Sequence, residues 1–168
     1  VGQQANLLVE KLRCNHRTNP LGVETLHPHL SWQLSSPENG QSQTAYQVLV
    51  ASSAEKLNEA DADLWNSGKE SSSQSLHIPY DGKPLQAQQR YFWKVKTWDK
   101  DGLPSPWSTV HFWEMGLLTD ANLQAKWLRH PDFLDTRLEA KPAPYFRKDF
   151  NLNKPIRSAR AYVTGLGY

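Results

Sequence analysis

The chain has 168 residues, enough for one ordinary domain or for a small domain with part of a second. Its net charge of +2 comes from 19 basic and 17 acidic residues dispersed along the chain, without the Lys and Arg runs that a phosphate backbone calls for, which argues against a nucleic-acid partner. The apolar fraction is only 38%, but seven Trp, six Tyr and five Phe supply large buried areas per residue, and no run of about 18 apolar residues exists to span a membrane.

The single cysteine, Cys14, rules out an internal disulfide, and the "CNH" at 14–16 brings no second thiol for a zinc site. Cys14 reads as a small apolar residue on a strand. The chain begins "VGQQANLL", without an initiator Met and without an apolar signal core. Either a leader has been removed or these residues are not the natural start.

In chain order, "LLVEKLRC" (7–14) puts Leu8, Leu12 and Cys14 on one face, and "HLSWQL" (29–34) does the same with Leu30, Trp32 and Leu34. "TAYQVLVAS" (44–52) buries Tyr46, Val48 and Val50, and "SLHIPY" (75–80) offers Leu76, Ile78 and Tyr80. In "YFWKVKTW" (91–98) Tyr91, Trp93, Val95 and Thr97 point one way, while Phe92, Lys94, Lys96 and Trp98 point the other. "STVHFWEM" (108–115) closes the series with Val110 and Phe112 inward. The intervening "NPLG", "SPENGQ", "NSGKESSS", "YDGKP" and "KDGLPSPW" are turn chemistry. Strands this close together leave no room for crossover helices, so they pair mostly antiparallel, as in a β-sandwich.

Leu85 stands six residues before Tyr91, the spacing of a tyrosine corner in which the ring enters the core and the hydroxyl bonds back to the preceding turn. With Trp32 on the second strand and no cysteine pair between the sheets, a fibronectin type III-like (immunoglobulin-like) sandwich fits residues 1–116 better than an antibody-type domain. From 117 to 144 the pattern is lost, apart from a short helical turn expected near Thr119, and the segment reads as a linker. "YFRKDFNL" (145–152) and "SARAYVTGLGY" (158–168) alternate again. Two strands make no independent core, so 145–168 reads as the start of a truncated β domain.

Three stretches carry a family likeness: "LRCNHRTNPLGVETLHPHLSWQL" (12–34), "GQSQTAYQVLVASSAEKL" (40–57) with "DLWNSGK" (63–69), and "YFWKVKTWDKDGLPSPWS" (91–108). In that order they resemble the N-terminal region of bacterial α-L-rhamnosidases of glycoside hydrolase family 78. "GLLTDANLQAKWL" and the terminal "FRKDFNL…ARAYVTGLGY" are similar to the family's passage into its jelly-roll domain. The resemblance implies a parent enzyme continuing through a jelly roll into an (α/α)₆ barrel, which hydrolyses terminal α-L-rhamnosides with inversion by a carboxylic acid and a carboxylate. Those carboxylates would lie in the barrel, so no catalytic residue, metal or cofactor is assigned to this chain. The partners implied are the enzyme's remaining domains and, through the parent, rhamnose-containing glycans. The expected location is periplasmic or secreted, with the cytoplasm as the alternative.

Within the chain, Asp61 with Asp63 and Asp99 with Asp101 are acid pairs in turns, where carboxylates commonly serve turn geometry. "DKDG" lacks the later ligands of a calcium loop, and "HPH" at 27–29 has no third metal ligand tied to it by spacing. No G-x-S-x-G elbow is present, and "TGLGY" has no helix after it to cradle phosphate. There remains an outward stripe of Leu49, Phe92, Trp98, His111 and Trp113, expected to merge into one apolar patch. It would serve as a seat for another domain or as a carbohydrate platform. The multidomain parent favours the seat.

Overall fold

A computed structural model describes residues 4–119, 124–129, 145–156 and 159–165. The chain divides into two compact units, Val1–Gln124 and Ala125–Tyr168. In the first, seven strands form two antiparallel sheets: β1 (Leu8–Cys14), β2 (His29–Ser35) and β5 (Ile78–Pro79) in the order β1-β2-β5, and β3 (Ala45–Ala51), β4 (Trp65–Asn66), β6 (Arg90–Trp98) and β7 (His111–Glu114) in the order β4-β3-β6-β7. The fourth strand pairs with β3 instead of extending the β1-β2-β5 sheet, which separates the topology from the antibody constant type.

The core lies between the sheets. Leu12, Cys14, Leu30, Trp32, Val48, Val50, Tyr80, Tyr91, Trp93, Val95 and Trp113 are all buried in one cluster. Its aromatic rings meet at angles: Tyr80 and Tyr91 lie 5.8 and 5.9 Å from Trp113, and Trp32 lies 5.3 Å from Tyr46. Edge-to-face and tilted contacts of this kind add to what ring burial contributes. The Trp32 indole N–H is taken into the core with an acceptor, the Gln43 side-chain carbonyl at 3.0 Å, and the Gln43 amide donates in turn to the Ser72 and Gln74 carbonyls.

Three expectations differ from the structure: Leu8 in β1, Leu76 before β5, and the inward face of β7. In β1 the register slips between Glu10 and Arg13, where Lys11 takes φ 49°, so Val9 is buried with Leu12 and Cys14 while Leu8 faces solvent. A bulge inserts one residue and reverses the alternation across it. Leu76 is also exposed, because His77 at φ 55° turns the chain just before β5. In β7 Trp113 pairs with Tyr91 and Phe112 with Phe92, so Trp113 and Met115 are inside while Val110 precedes the strand and is exposed.

No helix occurs among the described residues. At the place expected for a helical turn, Thr119 N–H donates to Leu117 O at 2.6 Å around Leu118 at φ 54°, a three-residue turn; the rest of that expected turn, 120–123, lies outside the described residues. Of the expected linker, 130–144 likewise lies outside them. In the second unit, the described parts of 145–152 and 158–168 form no strand, and Phe150 and Val163 are 74% and 90% exposed. The alternation is present in the sequence, but a strand needs a ladder partner and an apolar face to cover, and neither is found among the described residues.

Candidate functional site

The outer face of the β4-β3-β6-β7 sheet is built by strand alternation. Leu49 lies opposite Lys94, Gln47 opposite Lys96, Ala45 opposite Trp98, and Phe92 sits between Ala51 and Phe112. Leu49 and Ala51 are fully buried, because the segment after β3 folds back and lays Leu57 over them, with Ala62, Phe92 and Trp107 packed around. That segment is clasped by Asp63, which accepts the Ser52 N–H at 2.8 Å, the Ser52 hydroxyl at 2.6 Å and the Lys56 ammonium at 2.9 Å. Burial alone would push the Asp63 carboxyl up, but these bonds together hold it well below the usual carboxylate range.

The expected stripe is therefore split. Leu49, Phe92 and Trp98 do share the outer face, with Leu49 sealed beneath the chain's own loop. Trp113 and His111 lie on the inner side of β7, where His111 pairs with Trp93, is half-buried and has its imidazole pushed below the ordinary value by burial. Both parities of "VHFWEM" offer large apolar groups, so only the pairing with β6 decides which points in. Among the described residues the stripe therefore does not merge into one patch.

Cations cover the outer rings instead. The Arg90 guanidinium lies 4.3 Å from the Phe112 ring centre; Lys94 and Lys96 ammonium groups lie 4.8 and 4.5 Å from that of Trp107; Lys69 and Lys96 lie 4.6 and 5.1 Å from that of Trp98. Each such contact is worth roughly 0.5–1 kcal/mol where exposed. Arg90 also pairs with Glu114 at 3.0 Å and Lys96 with Glu59 at 2.6 Å. Burial lowers the Lys94 ammonium below its ordinary value, Glu59 opposing the shift and Lys96 adding to it. Alternation alone puts Lys94 and Lys96 beside Trp98. Trp107 escaped the sequence reading because it follows "PSP", outside any strand whose parity could place it.

The other candidates are structural or dispersed. Asp99 accepts the N–H groups of Asp101 and Leu103 at 3.0 and 2.8 Å, closing the hairpin turn, and Asp61 accepts from Asn58 within the 52–64 loop. His27 bonds the Tyr80 carbonyl at 3.0 Å. His29 comes together with two residues no spacing connected to it: the His77 ring lies 5.1 Å from His16 and 5.8 Å from His29, edge-on in both cases. Among the described residues no three metal-ligating side chains are placed to hold an ion.

Fold and surface define an immunoglobulin-like β-sandwich whose Asp61, Asp63 and Asp99 are engaged in local loop bonds. Residues 9–119 match the Rha78A-like N-terminal immunoglobulin domain, and the chain belongs to that family. It is 40% identical, over 98% of its length, to an α-L-rhamnosidase of Formosa agariphila, of which it covers 19%, and 47% identical over 67% of its length to one of Streptomyces avermitilis, of which it covers 11%. Among solved structures it is similar to the Streptomyces avermitilis α-L-rhamnosidase complexed with L-rhamnose, with 44% identity and a TM-score of 0.73 over 76% of this chain and 12% of that one. The native Aspergillus terreus enzyme is 26% identical, with a TM-score of 0.58 over 69% of this chain and 13% of its own. The chain thus spans less than a fifth of the curated relatives it matches.

Proposed function

We propose that this chain is the non-catalytic N-terminal part of a longer α-L-rhamnosidase, which it serves by packing against and supporting the enzyme's other domains. The carrying observation is the asymmetry of coverage: 98% of this chain aligns with 19% of an α-L-rhamnosidase. The engagement of Asp61, Asp63 and Asp99 in local bonds supports a non-catalytic role for this part. Hydrolysis of a terminal α-L-rhamnoside with inversion needs an acid and a base far enough apart to admit water. In this reading both come from domains beyond the sandwich.

Assay of the 168-residue chain and of the whole parent polypeptide with an aryl α-L-rhamnoside tests the reading. The chain alone is expected to give no turnover and the parent to give it. Turnover by the chain that vanishes on one Asp or Glu substitution, or an inactive parent, would overturn it. A second reading, that the sandwich contacts carbohydrate directly, draws on the cation-covered outer sheet.

A further inference from the structure

The outer sheet's apolar needs are met within the chain, since Leu49 and Ala51 lie under Leu57 and Trp107. Along it runs a row of cations held on aromatic supports, with Lys69 exposed and Lys94 and Lys96 half-buried: Lys69 on Trp98, Lys96 between Trp98 and Trp107, Lys94 on Trp107. Lys94 and Lys96 are two residues apart on one strand face, roughly 6.6–6.8 Å along it. An ammonium resting on a ring is already restricted, so a ligand that engages it orders less side chain on binding.

Only part of this charge is neutralised. Glu59 takes Lys96. Among the described residues neither Lys69 nor Lys94 has a carboxylate in salt-bridge contact, and Trp98 and Trp107 are half-buried beside them. Cations that no described carboxylate holds in a salt bridge, flanking partly open indole rings, fit a chain that carries anions at intervals and presents sugar C–H faces between them. The anion already received here, that of Glu59, is a carboxylate.

We propose that the outer face of the β4-β3-β6-β7 sheet binds a carboxylated polysaccharide, its uronate groups meeting Lys69 and Lys94 and its sugar rings lying along the edges of Trp98 and Trp107. The proposal stands on this surface alone and does not depend on what the parent enzyme hydrolyses. Rhamnosidase assays of the parent therefore leave it untouched.

Titration of the 168-residue chain with galacturonic acid oligosaccharides at low ionic strength tests it, with neutral dextran, dextran sulfate and poly-L-glutamate as further probes. Saturable binding of the oligogalacturonate is expected, weakened by salt and weakened about tenfold in Lys69→Ala/Lys94→Ala, as two charge contacts together allow; the two lost ring contacts lower the unfolding midpoint slightly, so binding is compared at a temperature where both proteins are fully folded. Glu59→Gln, which frees Lys96, is expected to bind several-fold more tightly. No binding, or binding indifferent to Lys69 and Lys94, overturns the proposal. Equal binding of poly-L-glutamate overturns the saccharide assignment, and binding of dextran sulfate alone overturns the carboxylate assignment.

Discussion

The phenolic oxygen of Tyr91 accepts the Gln86 backbone N–H at 2.8 Å while its ring lies 5.9 Å from Trp113 in the core. The corner thus ties the loop before β6 to the middle of the sandwich. Tyr91→Phe keeps the ring and deletes only this acceptor, leaving a part-buried N–H without its partner. The expected loss is about 1 kcal/mol, rising to about 3 if the N–H finds no water. Chemical denaturation of the two proteins measures it, and an unchanged midpoint and slope would mean the bond contributes nothing.

That corner was legible because it is a spacing rule: Leu85 and Tyr91 announce it without any knowledge of partners. Strand positions and the inward set Trp32, Val48, Val50, Trp93 and Val95 were legible for the same reason, as clean alternation. What the sequence hid was parity wherever alternation is interrupted or doubled. The bulge at Lys11 exchanged Leu8 for Val9, and pairing with β6 exchanged Phe112 for Trp113. At the surface, the aromatic character of "YFWKVKTW" was plain, but its capping depends on Lys69 from a distant segment and on Trp107 folded back from the irregular chain after the next turn. The 52–64 loop over Leu49 has no periodic signal at all, since Leu57 acts alone.

Gly82 is held by lack of space. Its turn presses so closely on the core that a β-carbon there would stand 2.5 Å from Tyr80 Oη and 2.6 Å from Trp65 Cβ. Neither neighbour can yield easily: the Tyr80 hydroxyl donates to Lys83 O at 2.6 Å, and its ring packs on Trp65 and Trp113. Gly82→Ala is expected to destabilise by about 1–3 kcal/mol through overpacking. Thermal unfolding that leaves the midpoint in place would show that the turn has slack.

Cys14 is 1% exposed, and burial pushes its thiol up to about 12. Since the thiolate is the nucleophile, both access and ionisation oppose its reaction at neutral pH. Iodoacetamide is expected to leave the folded chain unmodified over a period in which the denatured chain is fully alkylated. Rapid modification under native conditions would place the thiol outside the core. The linkage has a definite sign: the raised value favours the folded state fully below the unfolded thiol's value near 8.5 and loses that effect as pH climbs toward 12.

The Asp63 clasp makes the opposite prediction at low pH. Its carboxyl is held below the ordinary value, near 4 in an unfolded chain, by the Ser52 and Lys56 donors acting against burial. Between the two values the unfolded state binds the proton and the folded state does not, so the contribution is complete above the unfolded value and declines as pH falls toward the folded one. Asp63→Asn keeps the size of the side chain and removes that dependence. The midpoint gap between the two proteins is expected to be widest near pH 6 and to narrow steadily below pH 4, modestly, because the Lys56 side chain is 53% exposed. Denaturation at a series of pH values reads the gap directly. A gap that stays constant to pH 2.5 would mean that the loop over Leu49 is held by shape, with Leu57 in its pocket, and that the charge on Asp63 plays no part.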